Sequence, residues 1–116
     1  MTNIYNNAGN IRAGEEYAGE TGEFYYDANG KPYVIFDSPE MGLRALHVDL
    51  RSKINEFNGD ITQMFIKYAP PSDNNPTNNY IDFIKNDLNK DKLTLNDLPA
   101  LVRSVIKFEN TTETAN

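Results

Sequence analysis

The chain contains no cysteine and no tryptophan, and its 116 residues include a single histidine, His47. Without cysteine there is no disulfide framework, no zinc–thiolate site and no thiol nucleophile. One histidine excludes a histidine-rich metal centre and any mechanism that needs a histidine pair. No stretch approaches the roughly 18 consecutive apolar residues of a membrane span. The opening residues, Met1-Thr2-Asn3-Ile4-Tyr5-Asn6-Asn7, lack the basic start and apolar run of a secretory signal. The expectation is a protein made in a cytoplasm without a signal peptide. Positive charge is also scarce, with 11 Lys and Arg against 17 Asp and Glu, a net charge of −6. An acidic chain without a basic block does not suit specific recognition of nucleic acid. The same charge works against approach to an anionic cell wall.

What is present suits one ordinary globular domain over residues 1–116. Apolar residues make up 39 % and charged residues 24 %. Seven Tyr and six Phe supply the bulk that tryptophan does not.

Residues 1–22 are rich in Gly, Asn and Glu without a sustained period, and read as irregular structure held by side chains. Two aromatic and β-branched runs, Glu23-Phe24-Tyr25-Tyr26 and Pro32-Tyr33-Val34-Ile35-Phe36, flank Asn29-Gly30. That pattern predicts a β-hairpin lobe over about 22–37. Ser38-Pro39 reads as a helix cap with proline at the first helical position. Leu43, Leu46, Leu50, Ile54 and Phe57 follow at helical spacing, so a helix is expected over about 39–57. Asp60 with Gln63 makes a capping box for a second helix over about 61–69. Tyr80, Ile81, Ile84 and Leu88 predict a third over about 77–88. Leu98, Leu101, Val102, Val105 and Ile106 predict a fourth over about 97–109, with a frayed polar tail after it. The sum is an α+β domain, mostly helical, with one hairpin lobe and four helices.

Glu109 is the candidate for chemistry. It lies eleven positions after Leu98, which returns it to within roughly 20° of the apolar face of its helix. An apolar stripe thus ends in a carboxylate. Apolar surroundings disfavour the charged form, and the negative end of the helix acts in the same direction. A carboxyl group kept protonated near neutral pH is the general acid that glycosidic cleavage requires. For a second carboxylate, Glu15, Glu16, Glu20, Glu23, Asp27 and Asp37 crowd the N-terminal third, and the sequence does not rank them. His47 lies on the apolar face of the first helix, where a hydrogen-bonded core residue is expected. Arg12 and Arg44 are suited to holding a carboxylate, in the fold or in a ligand. Asp87, Asn89 and Asp91 imitate the start of a calcium loop, but Lys92 and Leu98 occupy its glycine and glutamate positions. No metal site and no cofactor are expected.

Four stretches, in order along nearly the whole chain, resemble a family of phage virion-associated structural proteins. Asn6-Asn7-Ala8-Gly9-Asn10-Ile11-Arg12 is similar to that family's Asn-Asn-Pro-Gly-Asn-Ile-Arg. Phe36-Asp37-Ser38-Pro39-Glu40-Met41-Gly42-Leu43-Arg44-Ala45 resembles its Phe-x-x-Pro-x-x-Gly-Ile-Arg-Ala. Tyr68-Ala69-Pro70-Pro71-Ser72-Asp73-Asn74-Asn75, with Tyr80-Ile81 behind it, is similar to Trp-Ala-Pro-Pro-x-Glu-Asn followed by Tyr-Ile. Val105-Ile106-Lys107-Phe108-Glu109-Asn110 resembles Ile-Ile-x-His-Glu-Asn-Gly. Phe108 and Thr111 stand where the family has histidine and glycine.

The Asn-rich opening also resembles the stretch that follows the catalytic glutamate helix in lysozyme-like peptidoglycan hydrolases. Here that stretch comes first and the glutamate helix last, which implies a lysozyme-like domain in circularly permuted order. The resemblance implies a muramidase or lytic transglycosylase with Glu109 as its single general acid. Asn7, Asn10, Arg12, Tyr17 and Asn75 are then the expected substrate-binding residues, with Asn7, Asn10 and Tyr17 near Glu109. The implied partners are peptidoglycan glycan strands and other virion proteins. The implied location is a capsid interior or tail, acting in the host periplasm or cell wall. The alternative is a non-catalytic virion structural protein on the same fold, which the changes at Phe108 and Thr111 favour.

Overall fold

The computed structural model describes residues 5–71 and 76–115, with side chains described as far as residue 110. The hairpin pairs β1 (Glu20–Tyr26) antiparallel with β2 (Pro32–Phe36). Phe24 faces Val34, Tyr25 faces Tyr33 and Tyr26 faces Pro32. Gly30, with φ of 78°, supplies the left-handed turn residue. Asp27 closes the turn, its Oδ1 accepting from the backbone N–H groups of Asn29 at 2.8 Å and Lys31 at 2.9 Å. The first strand begins at Glu20, two residues before the expected start of the hairpin lobe.

The far edge of β2 is not open. Val34 donates its N–H to Ile11 and Phe36 donates to Tyr5, while Ala13 donates back to Pro32. The Asn-rich opening is therefore tied along the hairpin by backbone bonds, which its composition did not reveal.

Four helices follow. In α1 (Pro39–Phe57), the Ser38 side chain accepts from the Met41 N–H at 3.2 Å, and Asn58 ends the helix in the left-handed conformation. Its buried face runs through Gly42, Ala45, Leu46, Asp49, Leu50, Lys53 and Ile54. The expected stripe is thus rotated. Leu43 is 38 % exposed, and the charged residues Asp49 and Lys53 lie inside. Gly42 is required there, because a Cβ would come within 1.7 Å of the Asn6 carbonyl oxygen. The helix can only pack this close to the N-terminal segment without a side chain at that position.

Asp60 caps α2 (Ile61–Tyr68) by accepting from the Gln63 N–H at 3.0 Å. Helix α3 spans Thr77–Leu88. A short 3-10 turn at Leu95–Asp97, closed by a capping box between Thr94 and Asp97, leads into α4 (Leu98–Ala115). The last helix runs past Glu109 and through the stretch expected to be a frayed tail. Helix α4 packs on α3 and α1, and α2 packs on α3. Leu46, Leu50, Ile61, Met64, Phe65, Ile84, Leu101 and Val105 are fully buried between them. Each contributes on the order of 1.5–3 kcal/mol of burial. The architecture is α+β and mostly helical, with the hairpin lobe at the end of the bundle where α4 carries Glu109. No helix among the described residues is long and apolar enough to cross a membrane.

Candidate functional site

The Asn-rich opening folds into a tight turn, and its asparagines do different work. Asn10 adopts a left-handed conformation (φ of 50°), and its N–H donates to the Asn7 carbonyl at 3.1 Å. Asn7 is fully buried. Its Oδ1 accepts from the Ile11 N–H at 2.8 Å, and its Nδ2 donates to the carbonyls of Ile11 and Val34, both at 2.9 Å. Asn7 therefore fastens the turn to β2 and offers no surface to a substrate, which corrects its expected role as a binding residue. Gly9 lets the turn meet the bundle: a Cβ there would lie 2.5 Å from Leu46 Cδ1 and 2.6 Å from the Tyr68 hydroxyl. That hydroxyl donates to the Gly9 carbonyl.

This turn delivers Asn10 to Glu109. Asn10 Nδ2 donates to Glu109 Oε1 at 2.9 Å, across 99 positions of sequence. The amide is oriented from its other side, where the Tyr25 hydroxyl donates to Asn10 Oδ1 at 2.9 Å. The second carboxylate oxygen, Oε2, accepts from the Tyr80 hydroxyl at 2.7 Å. The Tyr80 ring is stacked on Phe108 at 4.0 Å between centroids and tilted against Phe65 at 4.9 Å. Helices α2, α3 and α4 thus fix this phenol with aromatic contacts. Burial, followed by the Glu109 charge, holds the Tyr80 hydroxyl well above its ordinary pKa, so it remains a neutral donor. Tyr68 is raised for the same two reasons in the same order.

Glu109 lines a cleft of about 240 Å³ between the hairpin and the bundle. Asn10, Arg12, Tyr25, Asp27, Tyr33 and Tyr68 share its walls. Tyr5, Tyr25 and Tyr33 form a stack, with centroid separations of 4.0 Å and 5.3 Å. Of the six N-terminal acidic candidates, Asp27 alone is among these wall residues. Its carboxylate is held below the ordinary range by the Lys31 N–H first, then by the Asn29 N–H and the Tyr33 hydroxyl. It is therefore ionised near neutral pH. Tyr33 moves the opposite way, raised by burial and then by the Asp27 charge.

A second arm of about 200 Å³ adjoins the cleft and shares Asn10, Arg12 and Tyr68 with it. Tyr17 lies here. Its hydroxyl sits 3.2 Å from both Asp49 Oδ1 and Glu15 Oε2, and burial, then those two charges, push its pKa up. Asp49 also accepts from Lys53 Nζ at 2.6 Å. Tyr17 therefore belongs to the same groove as Glu109 but is bonded to a different carboxylate.

Other expected residues fall elsewhere. Asn75 lies outside the described residues. His47 is half-buried, with Nδ1 3.0 Å from the Leu43 carbonyl on its own helix, and lines neither arm. Arg44 is exposed on α1. Among the described residues, no three His, Asp or Glu side chains gather in a way that would hold a metal ion.

Tyr25, Tyr33 and Tyr80 read in the sequence only as strand and helix residues, and neither they nor the Asp49–Lys53 pair were expected at the site. One signal was available: Asp49 and Lys53 stand four apart beside Leu46, Leu50 and Ile54, where a helix face turns inward. No protein-family model matches the chain, and no curated protein matches it.

Proposed function

We propose that the protein cleaves the glycan strands of peptidoglycan, as a phage virion-associated muramidase or lytic transglycosylase with Glu109 as general acid. The observation that carries this reading is the placement of Glu109 in a cleft, with its two oxygens accepting from Asn10 and Tyr80. A carboxyl group lining a cleft of this kind can act as the general acid of glycosidic cleavage. The protonated acid gives its proton to the glycosidic oxygen as the C1–O bond breaks. The leaving sugar departs as an alcohol, and positive charge develops at C1. Asp27, kept ionised by its turn, is the wall carboxylate suited to stabilising that charge or orienting water. Attack by water gives the reducing sugar. Attack by the sugar's own C6 hydroxyl gives the anhydro product. In either case a proton returns to Glu109. The stacked tyrosines offer apolar ring faces for sugar C–H groups, and Arg12 and Asn10 offer donors to sugar oxygens.

A second reading is a non-catalytic virion component. It is favoured by the engagement of both Glu109 oxygens within the fold itself. Digestion of purified peptidoglycan by wild type and Glu109→Gln, with identification of the muropeptides, separates the two. Cleavage that falls by about 10²-fold or more in the variant is the expected result. A wild type that never cuts the wall overturns the enzymatic reading in favour of the structural one.

A further inference from the structure

The second arm of the groove contains a feature that glycan cleavage at Glu109 does not use. Lys53 is 9 % exposed, and its ammonium carries three donors. Asp49 Oδ1 accepts one at 2.6 Å, and the Tyr68 ring lies beneath the charge at 5.4 Å. A buried ammonium normally has its remaining donors satisfied, because leaving them unmet is costly. Here the ammonium borders an open arm of about 200 Å³. Arg12 and Lys67 line the same arm, against the carboxylates of Asp49 and Glu15. Lys67 is ion-paired at 2.8 Å with Glu56, which does not line the arm, so Arg12 and Lys53 match the charges of Asp49 and Glu15 there. Its floor is preorganised, since Tyr17 and Lys53 both grip Asp49.

We propose that this arm is a subsite for a carboxylate borne by the substrate, received by the Lys53 ammonium with Arg12 beside it. The two arms share Arg12, Asn10 and Tyr68. A substrate with its sugar at Glu109 would therefore direct an acidic substituent into the second arm. The choice of ligand rests on the peptidoglycan reading. Peptidoglycan strands carry such a group, the carboxyl-bearing lactyl peptide on alternate sugars, whereas chitin has the same β-1,4 linkage and acetamido groups without it. The subsite would select for the acidic strand over the neutral one, and it would let a protein of negative net charge bind an anionic polymer.

The test is binding, so it does not depend on turnover. Wild type is titrated with an N-acetylmuramyl dipeptide and, separately, with a chitin oligomer, following the amide resonances of Tyr17, Asp49 and Lys53. The expected result is saturable shifts at these residues with the acidic ligand only. The double variant Asp49→Asn/Lys53→Met removes both buried charges together, which avoids stranding one of them. It should lose about tenfold or more in affinity for the muramyl dipeptide and keep its affinity for chitin oligomer. Equal responses to the two ligands, or an unchanged muramyl affinity in the variant, would overturn the proposal. Saturable acidic binding by a protein that does not cut the wall would uphold the subsite while sinking the catalytic reading.

Discussion

Two carboxylates lie on the same groove, and the fold treats them in opposite ways. Asp49 is paired with a cation from its own helix, four residues on, at 2.6 Å. Glu109 accepts from an amide of the N-terminal turn and a phenol of α3. A cation beside a buried carboxylate offsets part of the cost of taking its charge out of water. Donors supplied by distant segments place a carboxylate where those segments meet. The first arrangement is local to one helix, and the second joins the N-terminal turn, α3 and α4 at the cleft. The same residue chemistry thus separates into two roles through its partners.

The largest expected effect breaks the Asp49 side of this contrast. Lys53→Met alone leaves a buried carboxylate without its cation, and should cost about 3–5 kcal/mol in urea unfolding. The double variant with Asp49→Asn should recover most of that loss. If the single variant were as stable as wild type, the floor would not depend on the ion pair.

Glu109→Gln tests the other side. The amide oxygen can accept from Asn10, and its NH2 can donate to the Tyr80 oxygen, so the fold should lose less than about 1 kcal/mol. Peptidoglycan cleavage should nevertheless fall about 10²-fold, close to 2.7 kcal/mol of barrier. A variant that unfolds instead would make Glu109 a structural residue. Tyr80→Phe is the smaller perturbation of the same contact, removing one donor from a packed site. About 1–2 kcal/mol of stability should go with it, read from the shift in urea midpoint. No shift would mean that aromatic packing against Phe108 and Phe65 alone holds the ring.

Alkali should expose both arms together. Tyr17 and Tyr80 have folded pKa values above the ordinary 10.0, raised by burial and by Asp49 and Glu109 respectively. The unfolded chain therefore releases these protons first, so stability is intact below pH 10 and falls as pH rises beyond it. Urea midpoints that stay flat between pH 9 and pH 11 would contradict this. The smallest effect belongs to Asp27, whose folded value lies below 3.8. Its contribution is present above that pH and is lost as pH falls through the lower folded value. Asp27→Asn should flatten the acid limb of the stability curve slightly, because the turn is exposed.

Much of the scaffold was legible because its signals are local. Ser38-Pro39, Asp60 and Asn29-Gly30 act on neighbouring backbone groups, so their positions in the sequence report their function directly. The errors have equally definite causes. The stripe on α1 was drawn through Leu43, which is exposed, because a buried Asp49–Lys53 pair imitates a polar face. The last helix continues to Ala115 although its end is polar, which composition reads as fraying. Asn7 and Asn10 look equivalent in sequence, yet one is wholly buried on backbone carbonyls and the other reaches the cleft.

The sequence by itself determined the hairpin, the four helices and the position of a carboxylate at the end of an apolar stripe. These follow from periodicities of two and 3.6 residues and from caps that reach only a few positions. The tertiary structure alone decided that Glu109 meets Asn10 from 99 positions away and Tyr80 from 29. It also decided that Asp27 shares the cleft while Asp49 is enclosed with Lys53 in the adjoining arm. Those choices depend on which helix faces and turns pack together, and no local repeat in the chain encodes the partner of a side chain so distant.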